Sequence, residues 1–311
     1  MASVVTFYRF VVVPDPKTLC HTVNALCNKH GLVGTVLVAH EGLNATLAAN
    51  THSDLEAFIA DLSADVRFKD LNCKWSSSRG DNAVFDRLKV RERPEVVSFG
   101  QEYQTSRATG RRVDVGAWNA FVASPDVALI DARNEYETEI GGFPNAIPAN
   151  TASFRDFPEF VERELDPSIH SKLALYCTGG IRCEKASQLL SEQGFRQVYQ
   201  LDGGILKYLS DVANAENLWT GECFVFDQRV TLDGNLSQGT YDQCHACRRP
   251  ISAADKCSDH YRFGVSCPRC VNETSPKQKN GFHERKRQES LARARGHRHV
   301  GARQELSSWI G

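Results

Sequence analysis

The chain has 311 residues, a net charge of −1 and a 41% apolar fraction, which is enough for two or three domains with ordinary cores. No apolar stretch approaches the ~20 residues that span a bilayer, and the N-terminus lacks a signal peptide's charged start, apolar centre and cleavage site, so no membrane is involved and a cytoplasmic location is expected. Eleven cysteines, an odd number split between a scattered set and a cluster after residue 240, fit reactive thiols and metal ligands better than a disulfide framework.

Residues 1–100 read as a first α+β unit. Residues 4–13 are a β-branched and aromatic run, and residues 16–30 place Leu19, Val23, Leu26 and Cys27 on one helical face. Short strands follow at 33–39 and 43–48 around His40-Glu41-Gly42. A helix over 54–63 carries Leu55, Phe58, Ile59 and Leu62, and residues 71–76 make a further strand. The order βαββαβ is that of a ferredoxin-like, acylphosphatase-like fold. His52-Ser53-Asp54 holds ligand types of an iron-binding facial triad, but Ser53 followed three residues later by Glu56 is a capping box that explains the stretch locally. Arg87, Lys89, Arg91 and Arg93 alternate strictly and so share one face of an extended segment, with Leu88 and Val90 opposite. Two readings stay open for them: a solvated edge kept from aggregating by charge, or contact with a phosphate backbone.

Residues 101–112 are polar and serve as a linker. Residues 113–215 then alternate strands, including 128–131, 173–176 and 198–199, with helices, which implies a parallel sheet covered on both faces. Such sheets bind ligands at the carboxyl ends of their strands. There the apolar run from Leu173 to Tyr176 ends at Cys177, the loop Thr178-Gly179-Gly180-Ile181-Arg182 follows, and from Cys183 onward Ala186, Leu189 and Leu190 recur at helical spacing. Backbone N–H groups of such a loop and the positive end of the next helix stabilise an anion inside it. A cysteine so placed, beside an arginine, can have its pKa lowered from about 8.5 to roughly 3.5–7.5 and becomes a nucleophile at neutral pH. Four residues separate Cys177 from Arg182, one fewer than in the protein phosphatases built on a similar loop. The tighter cradle suits a terminal sulfur or another compact anion. Cys183 is either a plain helix-start residue or a resolving thiol for Cys177.

Residues 216–275 are cysteine-rich. Cys244-x-x-Cys247 and Cys267-x-x-Cys270 stand nineteen residues apart, the spacing of a two-knuckle structural zinc site, with Cys257 and His245 as substitute ligands and a redox-active knuckle as the alternative. The tail, 276–311, is basic: residues 277–303 hold nine Lys/Arg against two Asp/Glu, leaving −8 on the rest. Solvation alone accounts for such a segment, yet beside a zinc knuckle it is also an electrostatic footprint for nucleic acid, with Arg285, Lys286 and Arg287 as candidate contacts.

The loop Cys-Thr-Gly-Gly-Ile-Arg resembles the active-site loop of rhodanese domains, which carry sulfur as a cysteine persulfide. Leu129-Ile130-Asp131-Ala132-Arg133-Asn134-Glu135-Tyr136-Glu137 resembles the rhodanese Asp-x-Arg segment, with Asp131 and Arg133 in a supporting role, and Leu201-Asp202-Gly203-Gly204-Ile205 resembles its Leu-x-Gly-Gly turn. Together with Glu41-Gly42-Leu43-Asn44, Phe85-Asp86-Arg87-Leu88-Lys89-Val90, the extension Cys183-Glu184-Lys185 and Gly221-Glu222-Cys223-Phe224-Val225-Phe226-Asp227, nearly the whole chain resembles the oxygen-dependent tRNA uridine hydroxylase family. The resemblance implies hydroxylation of carbon five of the wobble uridine to 5-hydroxyuridine, molecular oxygen as co-substrate, tRNA as substrate, Cys177 as a persulfide and a sulfur donor protein as a further partner. The residues alone reach less far, to sulfur chemistry near RNA. No flavin fingerprint, haem motif or iron triad explains oxygen activation. Two alternatives compete: a sulfurtransferase delivering sulfane sulfur to a thiol or RNA, against which the basic tail argues, and a non-catalytic RNA-binding rhodanese scaffold, against which the intact loop argues.

Overall fold

The computed structural model describes residues 2–78, 84–101, 103–104 and 109–296. Its first unit consists of β1 (Ser3–Phe10), α1 (Pro16–Lys29), β2 (Val33–Ala39), β3 (Gly42–Ala49), α2 (His52–Ser63), β4 (Lys74–Ser77) and β5 (Leu88–Glu92). The sheet runs β4-β1-β3-β2-β5. The first four strands pair antiparallel in the ferredoxin-like arrangement, and β5 is added at the edge, parallel to β2. Side chains alternate across β1. Val5 and Phe7 join the core under Leu19, Val23 and Cys27 of α1 and Leu55, Phe58 and Leu62 of α2, while Tyr8 and Phe10 meet other partners.

Two details differ from the expectation. The helix α2 starts at His52, because Thr51 is the residue that caps it, its hydroxyl accepting the Asp54 N–H at 3.2 Å. Ser53 is therefore inside the helix, and His52 packs on Trp75 at 4.2 Å instead of joining a ligand set. The strand expected to reach residue 13 ends at Phe10, beyond which Val11 and Val13 donate to the carbonyls of Glu41 and His40.

The second unit contains β6 (Arg111–Val113), α3 (Val115–Val122), β7 (Val127–Asp131), α4 (Glu135–Thr138), β8 (Gly141–Gly142), β9 (Ile147–Pro148), α5 (Phe157–Glu164), β10 (Lys172–Tyr176), α6 (Ile181–Glu192), β11 (Gln197–Leu201) and α7 (Gly204–Asp211). The sheet β6-β11-β10-β7-β9 is parallel throughout, and its first strand begins at Arg111, inside the stretch expected to be linker. Alternation along β10 serves both faces. Leu173 and Leu175 pack with Phe157, Phe160 and Leu190, whereas Ala174 and Tyr176 pack with Trp118, Ile205 and Tyr208. Each of these buried leucine, isoleucine and phenylalanine side chains contributes about 1.5–3 kcal/mol. A central strand held on both faces delivers Cys177 rigidly at its carboxyl end.

The remaining chain is built from short pieces. β12 (Thr220–Gly221) pairs with β8, Cys223–Phe224 pairs with Thr231–Leu232, and Asp242–Gln243 pairs with Pro250–Ile251, followed by α8 (Ala253–Lys256) and α9 (Pro276–Ala294). Among the described residues no helix is long and apolar enough to cross a membrane.

Buried charges join the first two units. Lys185 of α6 reaches Glu41 at 2.9 Å and Glu95 at 2.7 Å, and donates to the Gln101 carbonyl at 3.1 Å. The Glu41 carboxylate also accepts the N–H groups of Val96 and Tyr103 at 2.8 and 2.9 Å. Glu184 accepts from the Tyr8 hydroxyl at 3.0 Å and from Arg112 at 2.8 Å. Charges this deep persist only because each has several partners.

Candidate active site at the seam of two domains

Cys177 is completely buried, and its sulfur accepts the Gly180 N–H at 3.1 Å. Gly180 has φ +93°, a left-handed conformation that favours glycine, and a Cβ there would stand 3.1 Å from the Tyr8 hydroxyl. The loop is clamped from the other side. Gly204, at φ +68°, lies so close that a Cβ would be 2.5 Å from the Cys177 carbonyl oxygen. That approach lets the N–H groups of Ile205 and Leu206 donate to the carbonyls of Cys177 and Thr178, both at 3.0 Å. The Leu-x-Gly-Gly turn is thus the clasp of the cysteine loop.

Burial pushes the Cys177 thiol up, but the Cys183 thiol that donates to it, the Arg182 charge and the backbone N–H groups of Cys183 and Arg182 outweigh burial and bring it down to about 6. Cys183 moves the opposite way. Burial and the neighbouring Cys177 raise it well above an ordinary thiol, so it stays protonated and serves as a donor. The loop therefore separates two cysteines six positions apart in sequence into one anion and one neutral thiol.

Arg182 does not stand free in the loop. Its guanidinium pairs with the fully buried Glu137 through two bonds of 2.6 and 2.7 Å and donates to the Thr178 hydroxyl at 3.2 Å. Glu137 also accepts the Asn134 N–H at 3.1 Å, and although burial pushes its carboxyl up, Arg182 holds it below the usual carboxylate range. Asp131 and Arg133 form a separate buried pair at 2.6 Å. Arg133 further donates to the carbonyls of Glu137 and Gly141 and lies against the rings of Tyr176 and Trp219. Asp131 and Arg133 thus brace the segment that carries Glu137, and Glu137 orients Arg182. Glu137 is the residue that sequence reasoning missed, although it stood in the quoted Asp-x-Arg segment.

The N-terminal unit supplies another wall. Tyr8 is flanked by Lys74, whose Nζ lies 4.7 Å from the ring centroid, and by Arg112 through their shared partner Glu184. Burial and then Glu184 raise the Tyr8 phenol well above its ordinary value, so it remains a neutral donor. Phe226, 61% exposed, lies 5.9 Å from the Arg182 guanidinium. Tyr8 and Lys74 carried no signal in sequence beyond strand membership, and Phe226 stood in a quoted motif without a role assigned to it.

The Cys244, Cys247, Cys267 and Cys270 sulfurs lie within 4.8 Å of one another. Individual separations are 3.9 Å for Cys244–Cys270, 3.8 Å for Cys247–Cys267 and 3.6 Å for Cys267–Cys270. Four sulfurs about 2.3 Å from a tetrahedral ion would stand about 3.8 Å apart, so the donor set fits such a metal. Cys257, which is exposed, and His245, which packs on Phe263, are outside the cluster.

Arg87, Lys89 and Arg91 line the exposed edge at β5. Partial burial, then Arg87 and Arg91, and also Arg248 of the cysteine-rich region, lower the Lys89 pKa. One cationic field thus spans two regions. Arg285 departs from the expectation for the tail: its guanidinium donates to the carbonyls of His245 and Gly264 at 2.5 and 3.3 Å, tying α9 to the cysteine cluster. Lys286 lies 5.7 Å from the Phe263 ring, and Arg287 is exposed with a 3.5 Å contact to Glu284.

A two-domain protein emerges in which a rhodanese-type cysteine loop is roofed by an acylphosphatase-like unit. Comparison agrees: residues 2–96 match the family described as UPF0176 acylphosphatase like domain, and residues 117–211 match the Rhodanese-like domain family. A curated relative, the tRNA uridine(34) hydroxylase of Picosynechococcus sp., is 44% identical over 292 residues, 94% of this chain and 97% of that protein. The chain belongs to the tRNA uridine(34) hydroxylase family. Solved structures match single domains. A Rhodanese-like domain from Anabaena sp. is 18% identical with a TM-score of 0.30, over 36% of this chain and 80% of its own. Acylphosphatase from Bacillus subtilis is 18% identical with a TM-score of 0.24, over 29% of this chain and 99% of its own.

Proposed function

We infer that this protein hydroxylates the wobble uridine of tRNA anticodons to 5-hydroxyuridine, with Cys177 as its catalytic cysteine working as a persulfide. The observation that carries this reading is a buried thiol lowered to about 6 inside an N–H-lined loop, in a chain 44% identical over 94% of its length to a tRNA uridine(34) hydroxylase. Replacing a C–H bond by C–OH is a two-electron oxidation; with molecular oxygen as co-substrate one oxygen atom enters the new bond and the other leaves as water, taking two protons and two electrons from an external reductant, which makes the enzyme an oxidoreductase. A sulfur donor protein would charge Cys177.

A wobble base lies in a single-stranded loop and can be splayed out toward a strand-end pocket at little unpairing cost. The exposed ring of Phe226, next to the Arg182 cation, offers such a base a stacking face. Arg87, Lys89 and Arg91, with Lys286 and Arg287, would hold the phosphate backbone. Cys244, Cys247, Cys267 and Cys270 would hold a zinc ion, which supplies a covalent cross-link to a region with little core of its own. The enzyme would work in the cytoplasm, where tRNA is found.

Nucleoside mass spectrometry of tRNA from a deletion strain tests this. Loss of 5-hydroxyuridine and its derivatives, restored by wild-type protein but not by Cys177→Ser, is the expected result. Loss of a thiolated nucleoside with 5-hydroxyuridine intact would replace hydroxylation by sulfur transfer.

A further inference from the structure

We propose that Lys74, carried on β4 of the N-terminal domain, is a positioning residue of the Cys177 site, its ammonium being a second cation, beside Arg182, that favours negative charge on the Cys177 sulfur across the domain seam. The proposal rests on the reading of Cys177 as the reactive thiol.

The other cations around the loop already have carboxylate partners. Arg182 is held by both oxygens of Glu137, Lys185 by Glu41 and Glu95, and Arg112 by Glu184 with Asp202 at 3.6 Å. Lys74 is 6% exposed, and among the described residues no carboxylate forms an ion pair with it. Among the described residues its hydrogen bond goes to the Asn72 carbonyl at 3.0 Å, one acceptor for three N–H donors. A buried ammonium left so incompletely satisfied is costly unless a nearby anion compensates. Asp202 is within electrostatic reach, but Lys207 at 2.5 Å and Arg112 already neutralise it. Burial raises the neighbouring Cys73 thiol and disfavours its thiolate, which leaves Cys177 as the other anion acting on Lys74.

Tyr8 and Gly180 connect the surroundings of the two groups. The Lys74 ammonium sits 4.7 Å from the centroid of the Tyr8 ring, the Tyr8 hydroxyl stands 3.1 Å from the position of a Gly180 Cβ, and the Gly180 N–H holds the Cys177 sulfur at 3.1 Å. Register explains why Lys74 is there, since it pairs with Thr6 on β1, two residues before Tyr8 and on the same face. Burial lowers Lys74 to about 8, against Asp202, Cys73 and Cys177, which raise it, while Arg112 lowers it further. Cys177 is a thiolate above about 6 and Lys74 an ammonium below about 8, so both charges are present together between these values.

The test is a titration of the thiolate's ultraviolet absorbance in the full-length protein, taken as the difference between each form and the same form carrying Cys177→Ser. Lys74→Met, which keeps length and removes charge, is expected to raise the Cys177 midpoint by about one pH unit, cutting the ionised fraction at pH 6 about fivefold. Lys74→Arg is expected to restore the low midpoint. An unchanged midpoint in Lys74→Met overturns the proposal, and so does an equal rise in Lys74→Met and Lys74→Arg, which would mean packing and not charge. The titration needs neither sulfur donor nor tRNA. If cyanide releases no sulfane sulfur from wild-type Cys177, the persulfide reading alone fails.

Discussion

The Cys177 loop and the Cys244–Cys270 cluster both gather thiols under backbone N–H groups, and they solve the problem of thiolate charge in opposite ways. At Cys177 one sulfur is ionised and its neighbour Cys183 is kept neutral, so a single negative charge is balanced by Arg182 and by peptide dipoles fixed by the Gly204 clasp. In the cluster four sulfurs crowd within 4.8 Å, and four such thiolates repel one another unless a cation sits among them. The first site is stabilised by tertiary structure and is complete without a ligand. The second would take its stability from a bound metal ion. Perturbing the fold should therefore injure the loop, and removing metal should injure the cluster.

The sharpest division comes from Cys177→Ser. Serine nearly fills the same space but carries no sulfane sulfur and ionises far above neutrality, so tRNA hydroxylation should fall roughly a thousandfold or more while thermal unfolding stays near wild type. Wild-type turnover by this variant would remove the persulfide from the reaction.

Breaking the fold's own support is the next test. Glu137→Gln leaves Arg182 buried without its carboxylate and should destabilise the protein by about 3–5 kcal/mol in denaturant unfolding. With less negative charge facing it, Arg182 would act more strongly on Cys177, and the thiol midpoint should drop below about 6. A midpoint that rises would show that Glu137 works by geometry alone. Chelation should have a more local effect. Purified protein is expected to hold about one equivalent of zinc, and stripping it should raise hydrogen exchange across residues 242–271 before any change around β10. Protein purified without chelators and found free of zinc would refute the assignment.

How much of this was legible follows from how local each signal is. An apolar run ending in a cysteine, two glycines and a helical stripe are all contained within residues 173–190, so the strand, loop and helix could be read directly. Paired Cys-x-x-Cys knuckles are equally local. Nothing local marks Glu184 and Lys185 as buried, and both are buried because Glu41, Glu95, Tyr8 and Arg112 come from far away in sequence to meet them. Lys74 in a strand is silent for the same reason. The start of α2 was misplaced by competing local patterns, Thr51 with Asp54 and Ser53 with Glu56, between which only the folded backbone decides. Within the charged run of α9, nothing marked Arg285 as the residue that would bond two carbonyls of the knuckle.

That last distinction yields the smallest expected effect and the finest test. Arg87, Lys89 and Arg91 crowd one strand edge, and the lowered pKa of Lys89 records burial together with the repulsion of Arg87, Arg91 and Arg248. A polyanion laid along β5 would relieve that repulsion, whereas Arg285 is already committed within the protein. Changing Arg87, Lys89 and Arg91 to Gln should therefore weaken binding to all tRNAs alike and flatten the dependence of log affinity on log salt by about 0.7–0.9 units per lost phosphate contact. Lys286→Gln with Arg287→Gln should give a smaller decrease of the same kind. Arg285→Gln should instead loosen α9 from the cysteine cluster, seen as faster hydrogen exchange there, with the salt slope preserved. If the β5 variant binds tRNA as tightly as wild type at every salt concentration, the strand's charges only guard a sheet edge and the backbone is gripped elsewhere.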